Sequence, residues 1–274
     1  MTVYPKCILP REIDVTALVS AFRKKYRPDF YFDGESHDFY ELVYVNSGKV
    51  GITAEERIYA LESGQCMIHP PMEFHRIWGE GGTSPELIIF SFHAERMPCG
   101  TSGCYCLNPA QRELIEDWMT ENERVFSHRG ILVDQIIDKP GVRKQLSRLE
   151  LLLAELSSIT ADQNRIHSGS ASAYTEIVRI MKEHLHESMT IEQFSAFCHM
   201  SKSNVKRIVN KYSGMGVIQY FTQMKITRAC ELLIEGESVG NIARILGFSD
   251  QNYFSTVFRR RIGMSPTAYA RQIH

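Results

Sequence analysis

The sequence predicts an α+β multidomain chain: an N-terminal β-barrel with attached helices, then an all-α C-terminal unit. Two textures and one repetition point there. Up to about residue 107, short apolar runs are cut by Gly and Pro, as in Glu41-Leu42-Val43-Tyr44-Val45 before Asn46-Ser47-Gly48. Runs at this spacing build a small sandwich or barrel. Beyond residue 108 the apolar residues step by three and four, the period of helices. From Ala173 onward the helical pattern contains two copies of one unit. The 274 residues suffice for two domains, and 43% hydrophobic with 23% charged residues suits a chain that buries a core.

No run reaches the roughly 20 apolar residues that span a bilayer. Met1 to Pro10 lacks the basic and apolar regions of an export signal. Seven cysteines without the spacing of a disulfide framework fit a reducing cytoplasm. The net charge of −1 hides an asymmetry: residues 173–274 hold 13 Lys/Arg against 8 Asp/Glu, and residues 1–172 hold 18 against 24. A basic end beside an acidic remainder suits a polyanionic partner, although an ordinary solvated face carries such an excess too.

Further strands are expected at Cys66-Met67-Ile68 before Pro70-Pro71 and at Leu87-Ile88-Ile89-Phe90. After Pro140-Gly141, the residues Val142, Leu146, Leu149, Leu153 and Leu156 form a helical stripe. It serves either as a dimer seam or as the face that packs on the chain's own barrel. Residues 1–160 thus read as a sensing and dimerisation domain. Residues 161–172, rich in Ser, Ala and Gly, read as a flexible linker, and residues 173–274 as the second domain.

The repeat has a period near 49 residues. Gly214-Met215 returns as Gly263-Met264, Tyr220 as Tyr269, and Val205 and Val209 as Phe254 and Phe258. Each copy reads as helix-turn-helix. Thr190 and Gln193 form a capping-box pair, the chain turns at His199-Met200, and a second helix restarts at Ser201. In the other copy Ser238 caps a helix carrying Val239, Ile242, Ala243 and Leu246. Gly247 ends that helix, and the next starts near Ser249 or Asp250. Opposite the buried stripes lie Lys202, Ser203, Lys206 and Arg207 in the first copy, and Gln251, Asn252, Ser255, Thr256 and Arg259 in the second. Arg matches guanine edges, Gln and Asn match adenine, and a Thr methyl meets thymine. Arg259-Arg260-Arg261 sits where phosphates would run.

Residues from about 176 to 271 resemble the DNA-binding domain of AraC/XylS-type regulators. The resemblance is carried by Ile242-Ala243, Gly247-Phe248-Ser249-Asp250, Tyr253-Phe254, Phe258-Arg259, Gly263, Ser265-Pro266 and Tyr269. It extends over a connecting helix with Arg228, Ala229, Leu232 and Leu233. It implies two units reading successive major grooves, with base contacts from Ser203, Lys206, Arg207, Gln251, Asn252 and Thr256. Departures fall mainly in the first unit: Ser195 for Ala, His199 for Gly, Val209-Asn210 for Phe-Lys, and Gly216-Val217 for Ser-Pro.

In the barrel, Glu35, His37, Glu41 and Gly48 form one cluster, and Gly64, Pro70 and His75 another. The spacings resemble the two motifs of the cupin superfamily. Glu35 stands where metal-binding members carry a first histidine, and Met72 replaces a glycine. The preferred reading is an organic-ligand pocket with contacts from His37, Glu41, Tyr44, His75 and Trp78. Histidines structural at barrel turns come second, and a metal held by Glu35, His37, Glu41 and His75 comes third. No cofactor and no bound metal are therefore expected. Cys99, Cys104 and Cys106 are read as a coincidental group in a surface loop, since no spacing for zinc is complete.

The resemblance implies a non-enzymatic, cytoplasmic, dimeric transcription regulator. Its partners would be promoter DNA, RNA polymerase and a small effector such as a sugar or related metabolite, with activation as the usual sign and no membrane involved. Rival readings are a constitutive dimer without ligand and a metal-dependent cupin enzyme with a DNA-binding tail.

Overall fold

The structure, a computed structural model, describes residues 7, 8, 10–159, 161 and 168–273. Eight strands come first: β1 (Asp14–Lys25), β2 (Tyr40–Ser47), β3 (Lys49–Ala54), β4 (Arg57–Glu62), β5 (Gln65–His69), β6 (His75–Gly79), β7 (Glu86–Arg96) and β8 (Gly103–Cys106). Then follow α1 (Pro109–Val125), the hairpin β9 (Phe126–Arg129) and β10 (Leu132–Ile136), and α2 (Lys139–Ser157). The helical half comprises α3 (Gly169–Glu183), α4 (Ile191–Phe197), α5 (Lys202–Ser213), α6 (Val217–Ile234), α7 (Val239–Ile245), α8 (Gln251–Ile262) and α9 (Pro266–Ile273).

The strands form a seven-stranded sheet in the order β8-β5-β2-β7-β1-β10-β9 and a three-stranded sheet in the order β4-β3-β6. Their side chains sort by the period of two. In β2 and β7, Val43, Val45, Leu87 and Ile89 share a core with Ile52, Leu61 and Ile77 of the smaller sheet. The alternate residues Leu42, Tyr44, Ile88, Phe90 and Phe92 pack outward against Trp118 of α1 and Leu149 and Leu153 of α2. Both faces of the large sheet are thus covered, which explains the unbroken apolar runs of β2 and β7.

The stripe on α2 belongs to this second layer. Leu149, Leu153 and Leu156 are buried, and Val142 and Leu146 pack against the same cluster. Trp118 Nε1 donates to the Gln145 carbonyl at 3.1 Å, and Gln145 Nε2 donates back to the Trp118 carbonyl at 2.7 Å. The stripe is therefore the packing face on the chain's own barrel and is not free to form a dimer seam. Cys104 and Cys106 lie on β8, not in a loop, and Cys104 is buried.

Ser168 caps α3 at Gly169, so the predicted linker ends four residues earlier than expected; its residues 162–167 lie outside the described residues. The repeat appears as two pairs of helices, α4 with α5 and α7 with α8. Thr190 and Gln193 form the capping box of α4, Ser201 caps α5, Ser238 caps α7 and Asp250 caps α8. Gly214 and Gly263 end α5 and α8 in the left-handed conformation. Where Ser195 departs from the usual Ala, its hydroxyl donates to the Met200 carbonyl at 2.5 Å and ties down the turn. Gly216 leaves α6 without a side-chain cap.

The equivalent turns use different residues. Gly247 has φ +61°, and a Cβ there would lie 2.4 Å from the His186 carbonyl oxygen; His199 adopts φ 51° despite its side chain. Gly247→Ala is expected to destabilise the protein by at least about 1–2 kcal/mol, the cost of left-handed backbone for an L-residue. His199→Gly should be neutral or stabilising. Chemical denaturation of the two variants checks the contrast.

Candidate functional site

The helices α5 and α8 present the predicted DNA-reading faces. Val205, Ile208 and Val209 are buried on α5, as are Phe254 and Phe258 on α8. Lys202, Ser203, Lys206, Arg207, Gln251, Asn252, Thr256 and Arg259 are exposed, and Ser255 is half-buried. Arg207 is held by Asn204 Oδ1 at 2.8 Å, and Lys202 by Glu192 at 2.9 Å. Each of these two cations therefore already has a partner on its own chain. Tyr253, 55% exposed on the first turn of α8, is an aromatic group beside these residues, with its ring 6.0 Å from that of Phe248.

Lys225 of α6 fixes the two units to each other. It is buried, and its ammonium donates to the Glu187 carbonyl at 2.6 Å before α4 and to the Leu246 carbonyl at 2.7 Å after α7. It also lies 4.9 and 5.4 Å from the rings of Phe221 and Phe248. Burial pushes its pKa down to about 8, so the carbonyls and rings do the work of holding a cation. No sequence motif announces this residue.

In the barrel, Glu35, His37, Glu41 and His75 converge, with one ligand atom from each lying within 4.8 Å of the others. The connection between β1 and β2 runs antiparallel to β6. Glu35 and His75 exchange backbone hydrogen bonds at 3.0 Å, which sets their side chains side by side. Glu41 sits opposite His69 on β5 and Ser91 on β7. Its carboxylate is 3.3 Å from His75 Nε2 and 3.9 Å from His37 Nε2. The outer nitrogens are committed: His37 Nδ1 to the Phe39 carbonyl at 3.0 Å and His75 Nδ1 to the Glu73 carbonyl at 3.1 Å. His69 stacks on His75 with ring centroids 4.3 Å apart and bonds Glu73 at 2.7 Å.

Charge in this cluster is unevenly set. Burial pushes Glu41 up, but the imidazoles of His75, His69 and His37 hold it at about 2. Burial would lower His75, but Glu41 raises it. Burial, helped by His75, pushes His37 down to about 4. Burial raises Glu73 to about 7 against the pull of Arg57.

Next to the cluster lies a cavity of about 480 Å³, lined by Phe22, Tyr26, Phe30, Phe32, Phe39, Ile77, Leu87, Ile89, Ile131 and Leu132, with Ser20, Lys24, Glu35, Glu41 and Ser91 as its polar members. Two of the predicted ligand contacts are corrected here. Tyr44 is three residues from Glu41 on β2, so the strand period sends it to the opposite face, under α1. Trp78 is three residues from His75 on β6 and likewise points away from the cavity. Its ring lies 6.2 Å from Tyr212 of α5. Glu41 lines the cavity, while His37 and His75 stand behind it in the cluster.

The outer face of β6 meets the helical half. Phe74 packs edge-on to Tyr220 at 5.0 Å, within one core that also takes Ile58 of β4 and residues of α3, α5 and α6. Arg76 donates to the Asn210 and Lys211 carbonyls at the end of α5, and Thr53 Oγ1 donates to the Tyr212 carbonyl at 2.7 Å. Lys182 of α3 pairs with Glu55 and Glu56. Met72 inserts into the other core, among residues of α6 to α9.

A duplicated helix-turn-helix beside a barrel with a lined cavity defines a DNA-binding transcription regulator that carries its own ligand-binding domain. A helix-turn-helix domain model matches residues 194–272, and an AraC-like ligand binding domain model matches residues 19–102. The chain is 36% identical over 258 residues to the MmsAB operon regulatory protein of Pseudomonas aeruginosa, covering 89% of this chain and 79% of that protein. It is 26% identical over 264 residues to the HTH-type transcriptional activator RhaR of Mannheimia succiniciproducens, covering 92% and 91%. Among solved structures, a ToxT from Vibrio cholerae O395 is similar over 93% of this chain and 98% of its own, at 15% identity and a TM-score of 0.41. The chain belongs to the AraC family of transcription regulators. No helix among the described residues is long and apolar enough to cross a membrane.

Replacing Arg207 or Gln251 with Ala is expected to weaken binding to a mapped operator by about 1–3 kcal/mol each. The loss should fall on one base position for each residue. Footprinting and titration against single-base operator variants read both effects.

Proposed function

We propose that the barrel cavity binds an apolar effector and that strand β6 passes its occupancy to the reading helix of the first unit. The observation that carries this is the two-sidedness of β6. His75 and Ile77 face the cluster and cavity, while Phe74, Arg76 and Trp78 face the helical half. A shift of the strand on one side therefore displaces contacts on the other. The aromatic and aliphatic lining suits an aryl or alkyl body better than a sugar. The effector changes activity only by binding the two arrangements with different affinity.

We read the barrel as a sensor without catalytic activity, working in the cytoplasm. We also propose a homodimer acting at promoters through RNA polymerase, joined through surfaces other than the buried α2 stripe. Activation is supported by a relative named as an activator. The DNA contacts are those assigned above on α5 and α8.

Thermal-shift screening of the full chain with aliphatic and aromatic carboxylic acids should yield stabilising compounds that are not turned over. With such a compound in hand, Arg76→Ala should retain operator binding within a fewfold and lose most of the response to the compound. An Arg76→Ala protein that responds normally rules out β6 as the route, and turnover rules out the pure sensor.

A further inference from the structure

Strand β1 lays a gradient of polarity along the barrel cavity. The period of two sends Ser20, Phe22 and Lys24 to one face of the strand, and all three line the cavity. β7 sets Ser91 opposite Ser20, Ile89 opposite Phe22 and Leu87 opposite Lys24. The wall therefore carries a hydroxyl rung, an apolar rung and a cationic rung in order. At the hydroxyl end, Ser91 Oγ donates to the Glu41 carboxylate at 3.3 Å. A hydroxyl has one proton to give, so the 2.8 Å contact between Ser20 and Ser91 is a donation from Ser20. Both protons of this relay run toward Glu41, and Ser20 has only lone pairs left for a guest in the cavity. Ser20, Glu41 and Ser91 are all buried. Lys24, at the other end, is exposed. Its ammonium lies 5.1 Å from the ring of Tyr26, and among the described residues no carboxylate or carbonyl bonds it. It is also the only Lys or Arg in the described lining.

We propose that the effector is an organic acid with a hydrogen-bond donor at its far end, the carboxylate pairing with Lys24 and the donor bonding Ser20 Oγ. This rests on the effector reading of the cavity and adds the polarity of the molecule that fills it. The reverse orientation is costly. It would bury a carboxylate beside Glu41, where the relay offers no proton and the charges repel. An acid without the donor would leave the buried Ser20 oxygen facing hydrocarbon, the expensive state of a polar group. A molecule with hydroxyls along its whole length would set them against Phe22 and Ile89, which cannot answer them. The two poles also fix a length. At a strand rise of about 3.3 Å per residue, the Cα atoms of Ser20 and Lys24 stand roughly 13 Å apart. A short acid reaches one pole or the other, and an extended body on the apolar rung reaches both.

The test is a calorimetric titration of the full chain at neutral pH with 8-hydroxyoctanoate, octanoate and 1-octanol. The first differs from the second by the donor and from the third by the acid. We expect 8-hydroxyoctanoate to bind about threefold or more tighter than either, the size of one net hydrogen bond. Ser20→Ala should bring 8-hydroxyoctanoate down to the level of octanoate and leave octanoate unchanged. Lys24→Met should let 1-octanol bind as tightly as 8-hydroxyoctanoate or tighter, and Lys24→Arg should keep the wild-type order. Circular-dichroism melts verify that the three variants are folded. Equal binding of the three compounds by the wild type overturns the polarity while the cavity stands as a binding site. A preference that survives in the variant meant to remove it overturns that pole. Binding of none of the three overturns the effector reading itself, and this inference with it.

Discussion

The molecule depends on the pleat of one short strand. β6 is only five residues long, yet its two faces belong to different parts of the protein. A strand in an isolated sandwich has one face in the core and one in water. Here the second face is covered by α5 and α6, so neither side can relax into solvent. The isolated bridges from Tyr31 to Trp78 and from Glu35 to His75 close its free edge. On the proposed route, movement on the cavity side would be transmitted, because close-packed interiors shift as units and do not deform smoothly.

The same logic explains why the two reading heads differ in their attachment. The first shares a core with the barrel through Ile58 and Phe74 and has backbone carbonyls at the end of α5 capped by Arg76. The end of α5 carries the negative pole of its dipole, where a guanidinium is well placed. The residues proposed to read bases, Ser203, Lys206 and Arg207, sit toward the other end of that helix and are exposed. Holding a reading helix by its C-terminal end orients its N-terminal end without covering it. The second head is joined to the first through α6, with Lys225 pinning the carbonyls of both units, and touches the barrel core mainly through Met72.

From Thr190 onward the helical half was legible in the sequence to within a residue or two, because its information is local. Caps at Thr190, Ser201, Ser238 and Asp250, and left-handed glycines at 214, 247 and 263, are chemistry within one turn of chain. The barrel was legible in class but not in its lining. Glu41 with Tyr44, and His75 with Trp78, are expected together as polar and stacking contacts of one pocket, whereas a spacing of three on a strand separates them to opposite faces. That correction needed only the period of two. The aromatic wall of Phe30, Phe32 and Phe39 could not be read this way. It comes from an irregular connection whose place is set by pairing with β6, a non-local contact with no sequence period. The stripe on α2 was equally well formed for either of its readings, and the sequence has no term that names the partner.

Met72 shows how finely the link to the second head is balanced. It stands where the related motif has a glycine, and it keeps the glycine-like backbone, with φ +67°. Its amide donates to the His37 carbonyl at 2.6 Å, tying the turn to a residue of the buried cluster. Left-handed backbone at such a residue costs on the order of 1–3 kcal/mol. Its side chain is buried, 9% exposed, in the core of the second unit, and burying a Met side chain contributes about 1.5–3 kcal/mol. The two terms are of one size and opposite sign. The strained backbone belongs to the turn that bonds His37, and the buried side chain belongs to the core of the second head. A glycine at position 72 would remove the strain and the anchor alike, leaving the turn intact and the second head without this tether to the barrel.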